Sequence, residues 1–186
     1  MTELAARGAT YEDLLQVPAH LVAEIIHEQL LTHPRPAPRH ARASSSLGDE
    51  LLSPFDKGRG GPGGWWILDE PELDLDAHVL VPDFAGWRRE NMPVLPATAW
   101  FERAPDWVCE VLSPATARTD RVDKLPIYAI HNVRHVWLVD PDLRTLEAYE
   151  NHGGQWLLLK ALEHDNPVKL PPFDAITFSL GALWAD

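Results

Sequence analysis

The chain has 186 residues, 45% hydrophobic and 24% charged, which suits one domain, spanning 1–186, with its own core and excludes wholesale disorder. A net charge of -12 counts against a general nucleic-acid binder with a basic footprint, although catalytic acids and a local basic patch can coexist on an acidic body. Cys109 is the sole cysteine, so no internal disulfide can form; no apolar run could span a bilayer, and Met1 to Thr10 lacks the pattern of a secretion signal, so a cytoplasmic protein with no membrane partner is expected.

Taken in chain order, Thr10-Tyr11-Glu12-Asp13 reads as a capped helix start, and Pro18 limits that helix to a short piece. The apolar spacing of Ala23 to Leu31 suits a helix or a strand equally. His33 to Pro38 is an extended connector, Arg39 to Leu52 a helix, and Gly58 to Gly64, with five glycines and one proline, a flexible loop. Strand signals then dominate: Trp65 to Leu68, Leu73 to Val81, Pro82 to Trp87, and Asp106 to Leu112 with its β-branched and aromatic residues. A helical stretch from about Thr119 to His131 leads to an apolar strand, His135 to Val139, which makes a βαβ unit with the Trp107 strand. Asn151-His152-Gly153-Gly154 joins Thr145–Glu150 and Gln155–Leu162 as a hairpin, and Leu180 to Trp184 reads as a short final helix. The expected architecture is α/β, a mixed and partly antiparallel β-sheet core flanked by helices.

Two acids stand out. Asp83 follows Val81-Pro82, and a proline cannot donate to a ladder, so this position suits a strand edge or bulge from which an acid can point into a cleft. Glu110 sits inside the apolar Trp107 strand, where alternation puts it on one face with Val108 and Leu112, opposite Trp107, Cys109 and Val111. A buried carboxylate needs a partner. Either an Arg or Lys pairs with Glu110, or Asp83 and Glu110 together form a hard-oxygen site for Mg2+ or Mn2+.

Val81-Pro82-Asp83, the run Ala104 to Pro114 (APDWVCEVLSP), Arg121-Val122-Asp123-Lys124-Leu125 and His135 to Pro141 closely resemble the Uma-two putative restriction endonucleases, a family of the PD-(D/E)XK nuclease superfamily. Ala23-Glu24-Ile25-Ile26 and Pro38-Arg39-His40 extend the likeness, which covers about Tyr11 to Trp184. The resemblance implies a restriction-endonuclease-like fold and metal-dependent cleavage of DNA. It implies that Asp83, Glu110 and the Val111 carbonyl hold the metal and that Glu24 is an additional acid borne on a helix. The superfamily's usual lysine, two positions after the glutamate, is replaced here by Leu112, and Lys124 resembles a relocated substitute. Pro126 departs from the family pattern and suggests a helix starting near Asp123, with Lys124 in its first turn. Taken without the resemblance, Lys124 reads equally as a solvated helix lysine and Glu24 as a solvent-facing acid.

Other signals carry less. Asp69, Glu70, Glu72, Asp74 and Asp76 read as a charged strand edge, with Glu72 the member nearest in strand order to Asp83. Nine histidines and one cysteine show no zinc-site spacing. Arg35, Arg39 and Arg42, with His40 beside them, form either a phosphate-contacting stretch or a solvated patch. Most of the eight tryptophans read as core, with Trp87 beside Arg88 and Arg89 the exception suited to stacking on bases. The competing function is a nuclease-fold module without activity that binds DNA or a protein partner. A homodimer is expected in either case, through the Gly153 hairpin or the tryptophan-rich strands.

Overall fold

The computed structural model of the chain describes residues 7–184. Helix α1 (Tyr11–Leu15) starts where Asp13 accepts the Thr10 N–H at 2.9 Å, and it stops before Pro18. The ambiguous stretch that follows is a hairpin of β1 (Leu21–Ile26) and β2 (Gln29–Pro34), turned by His27 and Glu28 at φ 50 and 61. Glu24 therefore lies on a strand, not on a helix. Val22, Ile25 and Ile26 favour the pleat, and Ile25 pairs with Val79 of the neighbouring strand.

Helix α2 (Pro38–Leu51) begins at a proline, which suits a first turn whose N–H groups have no helical partner. Then come β3 (Trp65–Asp69), β4 (Glu72–Leu75), β5 (His78–Leu80) and β6 (Phe84–Arg88). The expected single strand over Leu73 to Val81 is two strands, because Asp76 takes φ 57 and reverses the chain. After β7 (Trp100–Phe101) and β8 (Trp107–Val111), a helical path crosses to β9 (His135–Asp140), which pairs parallel to β8. Strands β10 (Thr145–His152) and β11 (Gln155–Glu163) form the expected hairpin; β12 (Pro167–Val168) and β13 (Phe178–Ser179) close a small ladder before a 3-10 turn at Leu180–Leu183.

The crossover explains how Pro126 is accommodated. Thr119–Lys124 forms a widened turn in which the Leu125 N–H reaches the Asp120 carbonyl, and α3 (Leu125–Ile130) starts afresh with Pro126 in its first turn. There a missing N–H leaves no helical bond unmade. The helical path thus begins upstream of Asp123, and Lys124 precedes α3 rather than opening its first turn.

The two larger sheets have the orders β2-β1-β5-β4-β7 and β11-β10-β9-β8-β6-β3. Strand β8 divides the core. Trp107, Cys109 and Val111 face Ala43, Leu47 and Leu51 of α2, while Val108 faces Ile127 and Tyr128 of α3 and Leu73 and Leu80 of the other sheet. Trp87 is fully buried, stacks on Phe101 with centroids 4.4 Å apart and donates its indole N–H to the Arg103 carbonyl. It is a core residue with no face for a base; Arg88 and Arg89 lie instead over Trp65 and Trp66.

Gly86 lets these layers close. A Cβ there would sit 3.2 Å from the Trp107 ring and 3.3 Å from the Trp65 ring. Gly86→Ala is expected to cost about 1–3 kcal/mol by overpacking, read as a lower urea midpoint. An unchanged midpoint would mean that the two indoles yield freely. Among the described residues no helix is long and apolar enough to cross a membrane.

Candidate active site

The site lies where β8 outruns β6. Phe84 pairs with Cys109 in an antiparallel register, so continuing by one residue sets Asp83 opposite Glu110. Pro82 ends the ladder on that side. The Val111 N–H, left without a backbone partner there, donates to Asp83 Oδ2 at 2.7 Å. In extended backbone the carbonyl of a residue points to the same side as its N–H, so the Val111 oxygen faces the Asp83 side as well.

Lys124 reaches this point from the widened turn. Its Nζ lies 2.9 Å from Glu24 Oε1, 3.1 Å from Glu110 Oε1 and 3.3 Å from Asp120 Oδ1. Glu24, Glu110, Asp120 and Lys124 are only 1–3% exposed. Glu24 is fully engaged: Oε1 also accepts the Val81 N–H at 2.7 Å, and Oε2 meets His33 Nε2 at 2.8 Å. Its position makes it an anchor for the lysine. Glu110 Oε1 accepts the Tyr128 hydroxyl at 2.6 Å.

Electrostatics set these groups apart. Burial pushes the Glu110 carboxyl well up; Lys124 opposes the rise, and Asp120, Asp83 and Glu24 add to it. Asp120 is raised for the same first reason, against the pull of Lys124. Burial also acts against Glu24, but Lys124, His33 and the Val81 N–H together hold it below the usual carboxylate range. Lys124 is driven well above its ordinary value, since its carboxylates, Glu110 and Glu24 first, outweigh burial. Three buried carboxylates therefore share one lysine, with Asp83 beside them on His40, and the negative charge left over adds to the burial that raises Glu110.

A cleft of about 270 Å³ opens over this cluster, lined by Glu24, Asp83, Glu110, Asp120 and Lys124, with Arg35 and Ser113 among its other walls. Asp83 and Glu110 offer hard oxygen donors, and the unbalanced negative charge fits a divalent cation. Among the described residues no three His, Cys, Asp or Glu side chains already converge as a complete metal set. Lys124 and Tyr128 both contact Glu110 Oε1, which leaves Oε2 as its oxygen for a cation.

All four acids and bases singled out from the sequence, Glu24, Asp83, Glu110 and Lys124, line this one cleft. Glu72 does not; it accepts the Tyr11 hydroxyl at 2.7 Å. Asp120, Tyr128, His33 and His40 are additions. Asp120 and Tyr128 stand four residues either side of Lys124, a spacing that puts all three on one helix face. His40 falls in line with Ala43, Leu47 and Leu51, the buried side of α2. Tyr128→Phe is expected to lower stability by about 1–3 kcal/mol, because the buried Glu110 loses its hydroxyl donor. Urea denaturation would check this, and a loss below experimental error would show that Lys124 alone satisfies Glu110.

A family model described as Uma2, "Putative restriction endonuclease", matches residues 9–181. Among solved structures, the fold is similar to that of a "putative nuclease belonging to DUF820" from Anabaena variabilis ATCC 29413, with a TM-score of 0.74, 23% identity, and 92% of this chain and 95% of that chain covered. No curated protein matches the sequence.

Proposed function

Because the chain belongs to the Uma2 family of putative restriction endonucleases, we propose that it is a divalent-metal-dependent hydrolase cleaving phosphodiester bonds within DNA. The observation that carries this reading is the convergence of Asp83, Glu110, Glu24 and Asp120 with Lys124 in one cleft. Asp83, Glu110 and the Val111 carbonyl would hold Mg2+ or Mn2+, which when bound lowers the pKa of a water and neutralises charge on the phosphoryl group. Lys124, steadied by Glu24 and Asp120, stands beside Glu110 with its charge fixed, suited to orient the attacking water or to stabilise charge developing on the phosphate. Arg35 lines the cleft and Arg39 stands near it. Their exposed pairs with Glu70 at 3.3 Å and Asp142 at 3.5 Å are weak enough to exchange for phosphates. Cutting both strands would need two such sites, which a symmetric pair of chains supplies.

The test is nicking of plasmid DNA by the purified protein with Mg2+ or Mn2+, alongside calorimetric titration of Mn2+. Metal-dependent nicking supports the reading; intact DNA in every form and with every metal overturns it. The second reading, a module that binds DNA or a protein partner without cutting, is favoured by Lys124 being closed in by three carboxylates and by the net charge of -12. It expects a partner whose binding survives Glu110→Ala.

A further inference from the structure

His40 brings α2 into a site otherwise built from strands and the crossover helix. It is the third residue of α2, on the line Ala43, Leu47, Leu51 that faces β8, and it is 9% exposed. Its Nε2 lies 3.1 Å from Asp83 Oδ1. Its Nδ1 is buried without a hydrogen-bond partner among the described residues. Burial of an imidazole with one nitrogen unsatisfied is unfavourable, and Ala43 and Leu47 show that an apolar side chain suits this face of α2. Among the described residues the polar groups that act on the ring are first the Asp83 carboxylate and then the Val111 backbone, both among the proposed metal donors.

We infer that His40 is a nitrogen ligand of the cation held by Asp83, Glu110 and the Val111 carbonyl, an inference that rests on the metal-dependent reading above. The spacing supports it. Metal bonds of about 2.1 Å at right angles place neighbouring donor atoms about 3.0 Å apart, and Asp83 Oδ1 and His40 Nε2 already stand at 3.1 Å. The same separation serves a hydrogen bond from the Nε2–H in the free protein and two neighbouring donors in the loaded protein; on loading, the cation would replace the Nε2 proton, which leaves to solvent, and the ring would keep its proton on Nδ1. Asp83 and His40 would supply neighbouring donors, and Glu110 would join them through Oε2, since Lys124 and Tyr128 both contact its Oε1. An imidazole in an otherwise oxygen site also sets the metal preference, favouring Mn2+ and later transition ions over Mg2+.

The test is pulsed electron paramagnetic resonance on the Mn2+-loaded protein, read for nitrogen-14 coupling from a bound imidazole, beside calorimetric affinities for Mn2+ and Mg2+. The wild type is expected to show the coupling and His33→Gln to retain it. His40→Ala is expected to lose it, with Mn2+ affinity down about 10–100-fold and the preference for Mn2+ over Mg2+ reduced. His40→Asn, which keeps a hydrogen-bond donor for Asp83, covers the case in which the alanine variant does not fold, and should lose the coupling as well. Wild-type Mn2+ binding that needs Asp83 and Glu110 but shows no nitrogen coupling overturns the role of His40 and leaves the nuclease reading standing. Coupling that persists in His40→Ala overturns it too. A folded wild type that binds no Mn2+ overturns the metal-dependent reading itself, and this inference with it.

Discussion

Lys124→Met is expected to lower the unfolding free energy by about 3–5 kcal/mol near neutral pH, the range for removing one partner of a buried charge cluster. Lys124 touches Glu24, Glu110 and Asp120, all buried, so its loss leaves three carboxylates without a counter-charge. The pH dependence carries the argument further. Burial first, and neighbouring acids after it, raise Glu110 and Asp120 in the folded protein while Lys124 opposes the rise. A group raised on folding contributes fully below its unfolded pKa, and that contribution is lost as pH rises through the folded value. Glu24 behaves in the opposite sense: Lys124 helps hold it down, so its contribution is present above its unfolded pKa and is lost as pH falls. Without Lys124 all three shift upward. The variant should therefore lose stability steeply between about pH 4, near the unfolded carboxylate value, and neutrality, and its deficit against the wild type should shrink in acid. Urea titrations at several pH values would show this. A deficit under about 1 kcal/mol, or one unchanged by acid, would mean that Lys124 is solvated in solution.

Much of this cluster could be read from the chain, and the reasons it could not be read completely are physical. Glu110 declared itself by being an acid in an apolar strand, and alternation gave its face correctly: Trp107, Cys109 and Val111 pack on α2, Val108 on α3. Pro82 marked where a ladder ends, and Asp83 lies at that end. The β8–helix–β9 crossover followed from one helical stretch between two apolar strands. Glu24 was harder, because the β1–β2 turn uses His27 and Glu28 at positive φ instead of glycine or asparagine, so no turn residue announced the hairpin. Asp76 hid the β4–β5 turn in the same way. No local pattern brings β1 to the lysine turn; the Glu24–Lys124 contact spans the pairing of β1 with β5 and the packing of two sheets. His40 was visible in the likeness but given no place in the site, for a different reason. Beside Arg39 and Arg42 it read as part of a basic surface, although its spacing to Ala43, Leu47 and Leu51 already placed it on the inner face.

Glu110→Gln is expected to separate folding from function, and Asp83→Ala to damage both. In either variant Mn2+ binding should be lost and DNA cleavage fall by about 10²–10³-fold or more, the scale for removing one electrostatic contact to a transition state. The stabilities should diverge. Asp83→Ala leaves the Val111 N–H without its acceptor and His40 Nε2 without its carboxylate, which should cost about 1–3 kcal/mol. Glu110 is held in the fold at the expense of its charge, since burial and then the neighbouring acids push its carboxyl up. A neutral amide of the same shape removes that penalty. It still offers an oxygen to Tyr128 and leaves Lys124 with Glu24 and Asp120. Glu110→Gln should therefore keep or raise the urea midpoint at neutral pH while binding no Mn2+. On the proposed reading, a charge at Glu110 that folding does not need would serve the cation. If Glu110→Gln instead binds Mn2+ as the wild type does, Glu110 is a structural partner of Lys124 and the metal belongs elsewhere.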